Sequence, residues 1–304
     1  MIYDRFQQEA INYINQGYSV IVSAPTGAGK TAIAEHIIEE SLKRNQAVIY
    51  TAPIKALSNQ KFRDFQEQFQ SNIGILTGDV SINPYAPVLI MTTEIFRNKI
   101  LNQPETLNNY HWVIFDEIHY IDNPERGTVW EEALMFLPKH MNLLGLSATI
   151  PNIEEFVEWL TQIHHKPIKM VVEENRPVPL KFFFQCNNKI YKNLSEIKYK
   201  KFIQPNKITT LINHLIEIKG LPCIYFVFGR KQTEDLAWEL AKYDFLEQKE
   251  KEEAILLFNE LCKRFGLIQE KSAQELSPLI KRGIAYHHAG MLPTLDEAKK
   301  SLFT

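Results

Sequence analysis

The segment Ala24-Pro25-Thr26-Gly27-Ala28-Gly29-Lys30-Thr31 gathers glycines, a lysine and hydroxyls directly after the apolar run Val20-Ile21-Val22. Glycines let a loop turn its backbone N–H groups inward, and a helix opening at Thr31 adds positive potential at its N-terminus. Lys30 contributes a point charge. Together these groups suit the β- and γ-phosphates of a nucleotide, with the Thr31 hydroxyl on Mg²⁺. Position 24, where such loops usually carry their first glycine, is alanine, so the loop needs corroboration. Asp116-Glu117-Ile118-His119, which follows Trp112-Val113-Ile114-Phe115, supplies it. Acids at the C-terminal end of a parallel strand face the crevice where ligands bind. Asp116 can hold Mg²⁺ through water, and Glu117 can orient and deprotonate an attacking water. Phosphoryl transfer asks mainly for such positioning and charge compensation. Taken alone, the acids also read as a helix start with its dipole offset.

The elements that must position these groups show in the alternation of short apolar runs with stretches of helical period. Val20-Ile21-Val22, Ala47-Val48-Ile49-Tyr50, Val88-Leu89-Ile90, Trp112 to Phe115 and Leu143-Leu144-Gly145-Leu146 read as buried strands. Thr31 to Arg44 and Lys55 to Phe69 repeat apolar residues at three and four. The pattern predicts an α/β fold of right-handed βαβ units, a parallel sheet with helices on both faces. Glu173 to Pro179, with its charges and two prolines, predicts a domain boundary, giving domains over 1–175 and 176–304. A second α/β unit is expected to start with a strand at Cys223-Ile224-Tyr225-Phe226-Val227 and a helix from about Lys231. A helical insert is expected around 243–282, with Ile255, Leu256, Phe258, Leu261, Cys262 and Phe265 on its apolar face.

Composition narrows the class. The chain has 304 residues, 45% hydrophobic and 23% charged, which is the balance of a folded globular protein. Cys186, Cys223 and Cys262 form no CxxC pair and are expected to be reduced, buried thiols. No apolar stretch approaches the roughly 18 residues of a membrane span, and the polar Met1 to Gln8 lacks a signal-peptide core, so the expected location is cytoplasmic, with no membrane partner. Net charge is −2, so any nucleic-acid site must be local. Lys198, Lys200 and Lys201 read as a basic patch or as a solvated loop. The neighbouring pairs His164-His165 and His287-His288 point different ways and are not read as metal ligands.

Gly27 to Thr31, Asp116 to His119 and Ser147-Ala148-Thr149 together resemble the DExH-box helicases of superfamily 2. Further segments are similar to the branch containing the exosome-associated RNA helicases: Thr51-Ala52-Pro53-Ile54-Lys55-Ala56-Leu57-Ser58-Asn59-Gln60-Lys61, Thr77-Gly78-Asp79, Met91-Thr92-Thr93-Glu94, and Arg126-Gly127 with Val129-Trp130-Glu131-Glu132. The resemblance implies a RecA-like domain followed by a partial second one. It implies an ATP-dependent helicase or translocase with ATP and Mg²⁺ as cofactors, moving 3′ to 5′ on single-stranded or 3′-overhang RNA. A DNA substrate, or nucleotide-dependent binding without turnover, stays open beside it.

Carried over by motif, Lys30, Asp116, Glu117 and His119 are catalytic. Gln7, Pro25, Thr26, Gly27, Ala28, Gly29, Lys30 and Thr31 bind nucleotide, with Gln7 reading the adenine edge. Thr31 and Asp116 hold the metal. Pro53, Lys55 and Thr93 grip the nucleic-acid backbone, where hydroxyls and amides hold phosphates without reading bases. Ser147 and Thr149 couple hydrolysis to strand movement, and His119 bridges toward the second domain. Phe228-Gly229-Arg230 and Gly283 to Gly290 match second-domain segments of the family. The family's threonine-rich and arginine-finger motifs are expected beyond Leu302-Phe303-Thr304, so the chain reads as a fragment with little turnover of its own.

Overall fold

The computed structural model describes residues 2–197, 204–288 and 290–291. The lysine cluster at 198–201 and the end of the chain at 302–304 lie outside the described residues. The chain divides into two compact units, Met1–Leu180 and Lys181–Thr304.

The first unit is built on an eight-stranded sheet. Its strands are β1 (Ser19–Ser23), β2 (Ala47–Ala52), β3 (Ile73–Leu76), β4 (Ser81–Ile82), β5 (Val88–Thr92), β6 (Tyr110–Phe115), β7 (Asn142–Ser147) and β8 (Ile168–Val172). Across the sheet they run β4-β3-β5-β2-β6-β7-β1-β8, all parallel except for the β3–β4 hairpin. The helices are α1 (Arg5–Asn15), α2 (Thr31–Lys43), α3 (Lys55–Phe69), α4 (Thr93–Asn102), α5 (Gly127–Met135) and α6 (Ile153–His164).

Strand residues alternate between two cores, as a pleated sheet requires. Val20, Val22, Val48, Tyr50, Val88, Ile90, Ile114, Leu144 and Leu146 pack with α1, α2 and α3. Ile21, Ile49, Leu89, Met91, Val113, Phe115 and Leu143 pack with α4, α5 and α6. Both faces are covered, which is why these strands read as unbroken apolar runs. The RecA-like α/β arrangement expected of this part of the chain is present. β3 and β8 were not among the runs read as strands. β8 carries Lys169 beside Met170 at the sheet edge, where the Lys169 ammonium lies over the rings of Tyr18 and Tyr13 at 4.8 and 5.5 Å.

The second unit differs. Its strands among the described residues are β9 (Phe184–Cys186) and β10 (Lys189–Tyr191), an antiparallel hairpin. Asn187 and Asn188 join them, both with left-handed backbone (φ 49° and 59°), the conformation tight hairpin turns demand. Then come α7 (Ile208–Glu217), α8 (Arg230–Leu240), α9 (Gln248–Arg264) and α10 (Lys271–Ile280). The insert expected around 243–282 is thus a pair of helices. Phe258, Leu261 and Cys262 are buried and Phe265 packs beside them, on a true three-and-four stripe. Leu256 falls outside that stripe and is exposed, contrary to the expected face.

The strand expected at Cys223–Val227 is not formed: the segment joins no ladder among the described residues, and α8 follows it. A strand's N–H and C=O groups need a neighbour to bond, and none pairs with this segment among the described residues. Its side chains stay outside, Ile224 at 83% and Phe226 at 90% exposure, and Cys223 is exposed where a buried thiol was expected. No helix of the described residues is long and apolar enough to cross a membrane.

Candidate nucleotide and nucleic-acid site

Parallel register brings the chemistry to one edge of the sheet. Ser23 lies beside Ser147, Phe115 beside Gly145, and Thr51 beside Phe115, so the loops that leave β1, β2, β6 and β7 emerge together. That edge is where open α/β sheets bind ligands. The loop after β1 turns through Gly27 and Gly29, both with positive φ (86° and 80°), and enters α2 at Thr31. The positive φ favours glycine at 29, and a side chain there would press within 2.8 Å of the Gln7 amide and displace it. The backbone N–H groups of Gly27, Gly29 and Lys30 bond no other group among the described residues. Such donors, at a helix N-terminus, fit an oligophosphate. Lys30 folds over the loop, its ammonium donating to the carbonyls of Ala24 (2.7 Å) and Pro25 (3.1 Å). Burial pulls its pKa down, against the opposing pull of Glu117 and Asp116.

Asp116 continues the β6 ladder, its N–H donating to Thr51 O at 2.9 Å. Its Oδ2 accepts the Tyr50 hydroxyl at 2.6 Å and its Oδ1 the Glu117 N–H at 3.1 Å. Burial first, then Asp116, pushes the Tyr50 phenol well above its ordinary range, so it remains a donor. Glu117 has a left-handed backbone (φ 56°, ψ 45°), costly for a residue with a Cβ and typical of functional sites. That twist swings the chain into the short 3₁₀ turn Ile118–Asp122, and Gly145 leaves room for it: a Cβ there would meet Ile21 at 2.5 Å and Ile118 at 2.9 Å.

His119 Nδ1 lies 3.3 Å from Glu117 Oε2, 3.4 Å from Ser147 Oγ and 3.4 Å from the Ala148 N–H. That nitrogen accepts from Ala148 or, once protonated, donates to Glu117; it cannot do both. Ser23 ties the same turn to β1, donating to Ala148 O and accepting from Ile150 N–H. Thus the Asp116–His119 and Ser147–Thr149 motifs and the start of the phosphate loop are physically joined. Thr149 is exposed at its rim.

Gln7 is buried, and its amide is used inside the protein. Nε2 donates to Gly29 O at 2.9 Å, while Oε1 accepts from the Asp4 N–H that starts α1. It braces the back of the phosphate loop. Lys61 of α3 reaches the same loop, donating to Thr31 Oγ1 at 3.2 Å.

The residues assigned to nucleic acid lie where β2 and β5 end. Lys55 opens α3, is exposed and pairs with Asp79. Pro53 is buried, but its carbonyl accepts from Arg126 at 3.3 Å, and the same guanidinium nitrogen lies 3.8 Å from Glu94. Arg97 of α4 pairs with Glu132 of α5. Thr93 does not present its side chain: it is fully buried and its Oγ1 has no partner among the described residues. In its motif Glu94 is the partly exposed side chain beside it. Gly127 follows from the same packing, since a Cβ there would lie 2.3 Å from Ile121 O. In the second unit, His288 is turned inward to Glu234 (2.7 Å) while His287 is exposed.

Sequence reasoning missed Tyr50, Ser23, Lys61 and Arg126. Lys61 and Arg126 stand in segments that carry the family resemblance without a role of their own, and Tyr50 carries a signal too, a phenol inside an otherwise apolar strand, because a buried hydroxyl must find a partner.

A largely parallel α/β sheet with a glycine-rich loop after its first strand and an Asp-Glu pair after β6, one strand removed from it, is the arrangement of a nucleotide-binding domain, and the DEAD/DEAH box helicase family matches residues 4–156. The chain belongs to that family. It is 38% identical over 99% of its length to the DExH-box ATP-dependent RNA helicase DExH9 of Arabidopsis thaliana, of which it covers 34%. It is 37% identical over its whole length to the exosome RNA helicase MTR4 of Homo sapiens, covering 32%, and 36% identical over 99% to the superkiller complex protein 2 of Mus musculus, covering 27%. The chain therefore spans about a third of the length of these relatives. Among solved structures, the DNA-bound helicase MrfA aligns with 56% of this chain and 25% of its own at 19% identity and a TM-score of 0.45, too shallow a likeness to carry an argument.

Proposed function

We propose that the chain is the motor part of an ATP-dependent RNA helicase that moves 3′ to 5′ on single-stranded or 3′-overhang RNA. The observation that carries this is the edge of the sheet where the loop from Pro25 to Thr31, the acids Asp116 and Glu117, and the turn Ser147–Thr149 emerge together, with Ser23 bonded to Ala148 and Ile150 and His119 Nδ1 within reach of either Ala148 or Glu117. The RNA preference is supported by the names of the relatives and the direction by the branch that the motifs resemble.

The free N–H groups of the loop and Lys30 would hold the β- and γ-phosphates, with Thr31 and Asp116 holding Mg²⁺. The cation, when bound, supplies charge compensation at those phosphates. Lys30 must leave the carbonyls of Ala24 and Pro25 to meet a phosphate, exchanging neutral acceptors for charged ones. Glu117 orients the attacking water and takes its proton. His119, between Glu117 and Ala148, passes the position of that carboxylate to the Ser147–Thr149 turn. Lys55 and the backbone at the start of α3 would grip RNA phosphates, which carry no sequence information.

Two variants test the nucleotide half. Lys30→Ala should weaken ATP–Mg²⁺ binding by about 2–3 kcal/mol, roughly 30- to 150-fold, in calorimetric titration, with the fold intact by circular dichroism. Glu117→Gln should keep ATP binding and remove whatever phosphate release the unsubstituted protein shows under the same conditions. Unchanged ATP affinity in folded Lys30→Ala would refute the site. Strand displacement on RNA and DNA duplexes with 3′ or 5′ overhangs tests the other half, and a preference for DNA or for 5′ overhangs would overturn it.

A further inference from the structure

Tyr50 sits within β2 with no exposed surface, its ring edge-on to Phe65 at a centroid distance of 5.3 Å. Packing alone gives no reason for its hydroxyl, because phenylalanine fills the same space and a buried hydroxyl without a partner is costly. The hydroxyl donates at 2.6 Å to Asp116 Oδ2, an interaction spanning 66 residues of sequence and two paired strands. Asp116 Oδ1 is held from the other side by the Glu117 N–H. A carboxylate fixed through both oxygens has lost its freedom about χ2, and its remaining lone pairs point in set directions.

We infer that Tyr50 is a positioning residue of the cation site, its hydroxyl locking the Asp116 carboxylate in the one orientation that meets Mg²⁺–ATP. The inference rests on the proposed role of Asp116 in holding the cation. Tyr50 touches neither cation nor nucleotide in this account; it acts through Asp116. Partners that orient a metal-holding side chain in this way are commonly worth 10- to 100-fold in metal affinity or activity.

The test is calorimetric titration of ATP into the wild-type chain, Tyr50→Phe, Asp116→Asn and the double variant, each with Mg²⁺ and with EDTA. Tyr50→Phe should weaken binding about tenfold with Mg²⁺, leave binding in EDTA unchanged, and add nothing in the Asp116→Asn background. A merely structural role would lower the melting temperature and weaken both affinities alike. p-Aminophenylalanine at position 50, which keeps the ring and a donor, should recover most of the Mg²⁺-dependent affinity. It also carries the comparison if Tyr50→Phe does not fold: Mg²⁺-dependent binding as weak as that of Asp116→Asn would then overturn the inference. If wild-type binding ignores Mg²⁺, the reading of Asp116 falls. If it depends on Mg²⁺ and Tyr50→Phe behaves as wild type, the role of Tyr50 alone falls.

Discussion

Val88-Leu89-Ile90-Met91 and Ile224-Tyr225-Phe226-Val227 are alike in composition, yet the first is wholly buried in β5 while the second joins no sheet and leaves Phe226 outside. β5 lies between β3 and β2, bonded on both sides, with α3 and α4 covering its two faces. The segment at 224–227 has no such neighbours among the described residues. An apolar run therefore specifies a strand only jointly with the strands that flank it, since burial without ladder partners would strand its backbone polar groups. The same contrast separates the motifs. Those of the first unit are mounted on strand ends within a closed core, whereas Phe228-Gly229-Arg230 leads into α8 from an exposed stretch, with Phe228 at 97% exposure.

The comparison can be broken most decisively in the first core. Phe115 is fully buried between Phe96 and Trp130 and immediately precedes Asp116. Phe115→Ala should cost about 3–5 kcal/mol in chemical denaturation, and ATP binding should fall with it because the cavity undermines the strand end. A loss below about 1 kcal/mol would mean that the sheet does not hold the site as described.

Arg126→Gln is the intermediate case. It removes the group that links the Pro53 carbonyl to Glu94, both beside the expected nucleic-acid path. Because that guanidinium is half exposed, the loss should be about 1 kcal/mol, roughly fivefold in single-stranded RNA affinity by fluorescence anisotropy, with ATP binding unchanged. An equal loss of ATP affinity would show that Arg126 supports the whole domain. The smallest effect belongs to the second unit: Phe226→Ser should change the unfolding free energy by less than about 0.5 kcal/mol. A larger loss would show that the segment is buried in solution after all.

Much of the first unit is legible in the sequence because its strands are buried on both faces and its motifs stand at strand ends, where type and order together define chemistry. β8 was harder to read, because Lys169 interrupts the apolar run and serves there as a cation over tyrosine rings. The Thr93 hydroxyl, expected at the surface by resemblance, is enclosed, since α4 begins while still inside the core. Tyr50 with Asp116, and Lys61 with Thr31, pair residues 66 and 30 positions apart, which only the sheet order and the packing of α3 bring together. The apolar segment at 223–227 forms no strand although its composition suits one, because composition reports what a segment could bury and is silent on what it can bond.

The left-handed backbone at Glu117 has a consequence for protein engineering. A non-glycine residue in that region gives up roughly 1 kcal/mol or more, which the surrounding structure must over-determine. Glycine would adopt the same angles at ease, so a screen for thermal stability will tend to enrich Glu117→Gly and discard the carboxylate proposed to act on the attacking water in the same step. If Glu117 has the proposed role, selection for robustness and selection for turnover pull in opposite directions at this position.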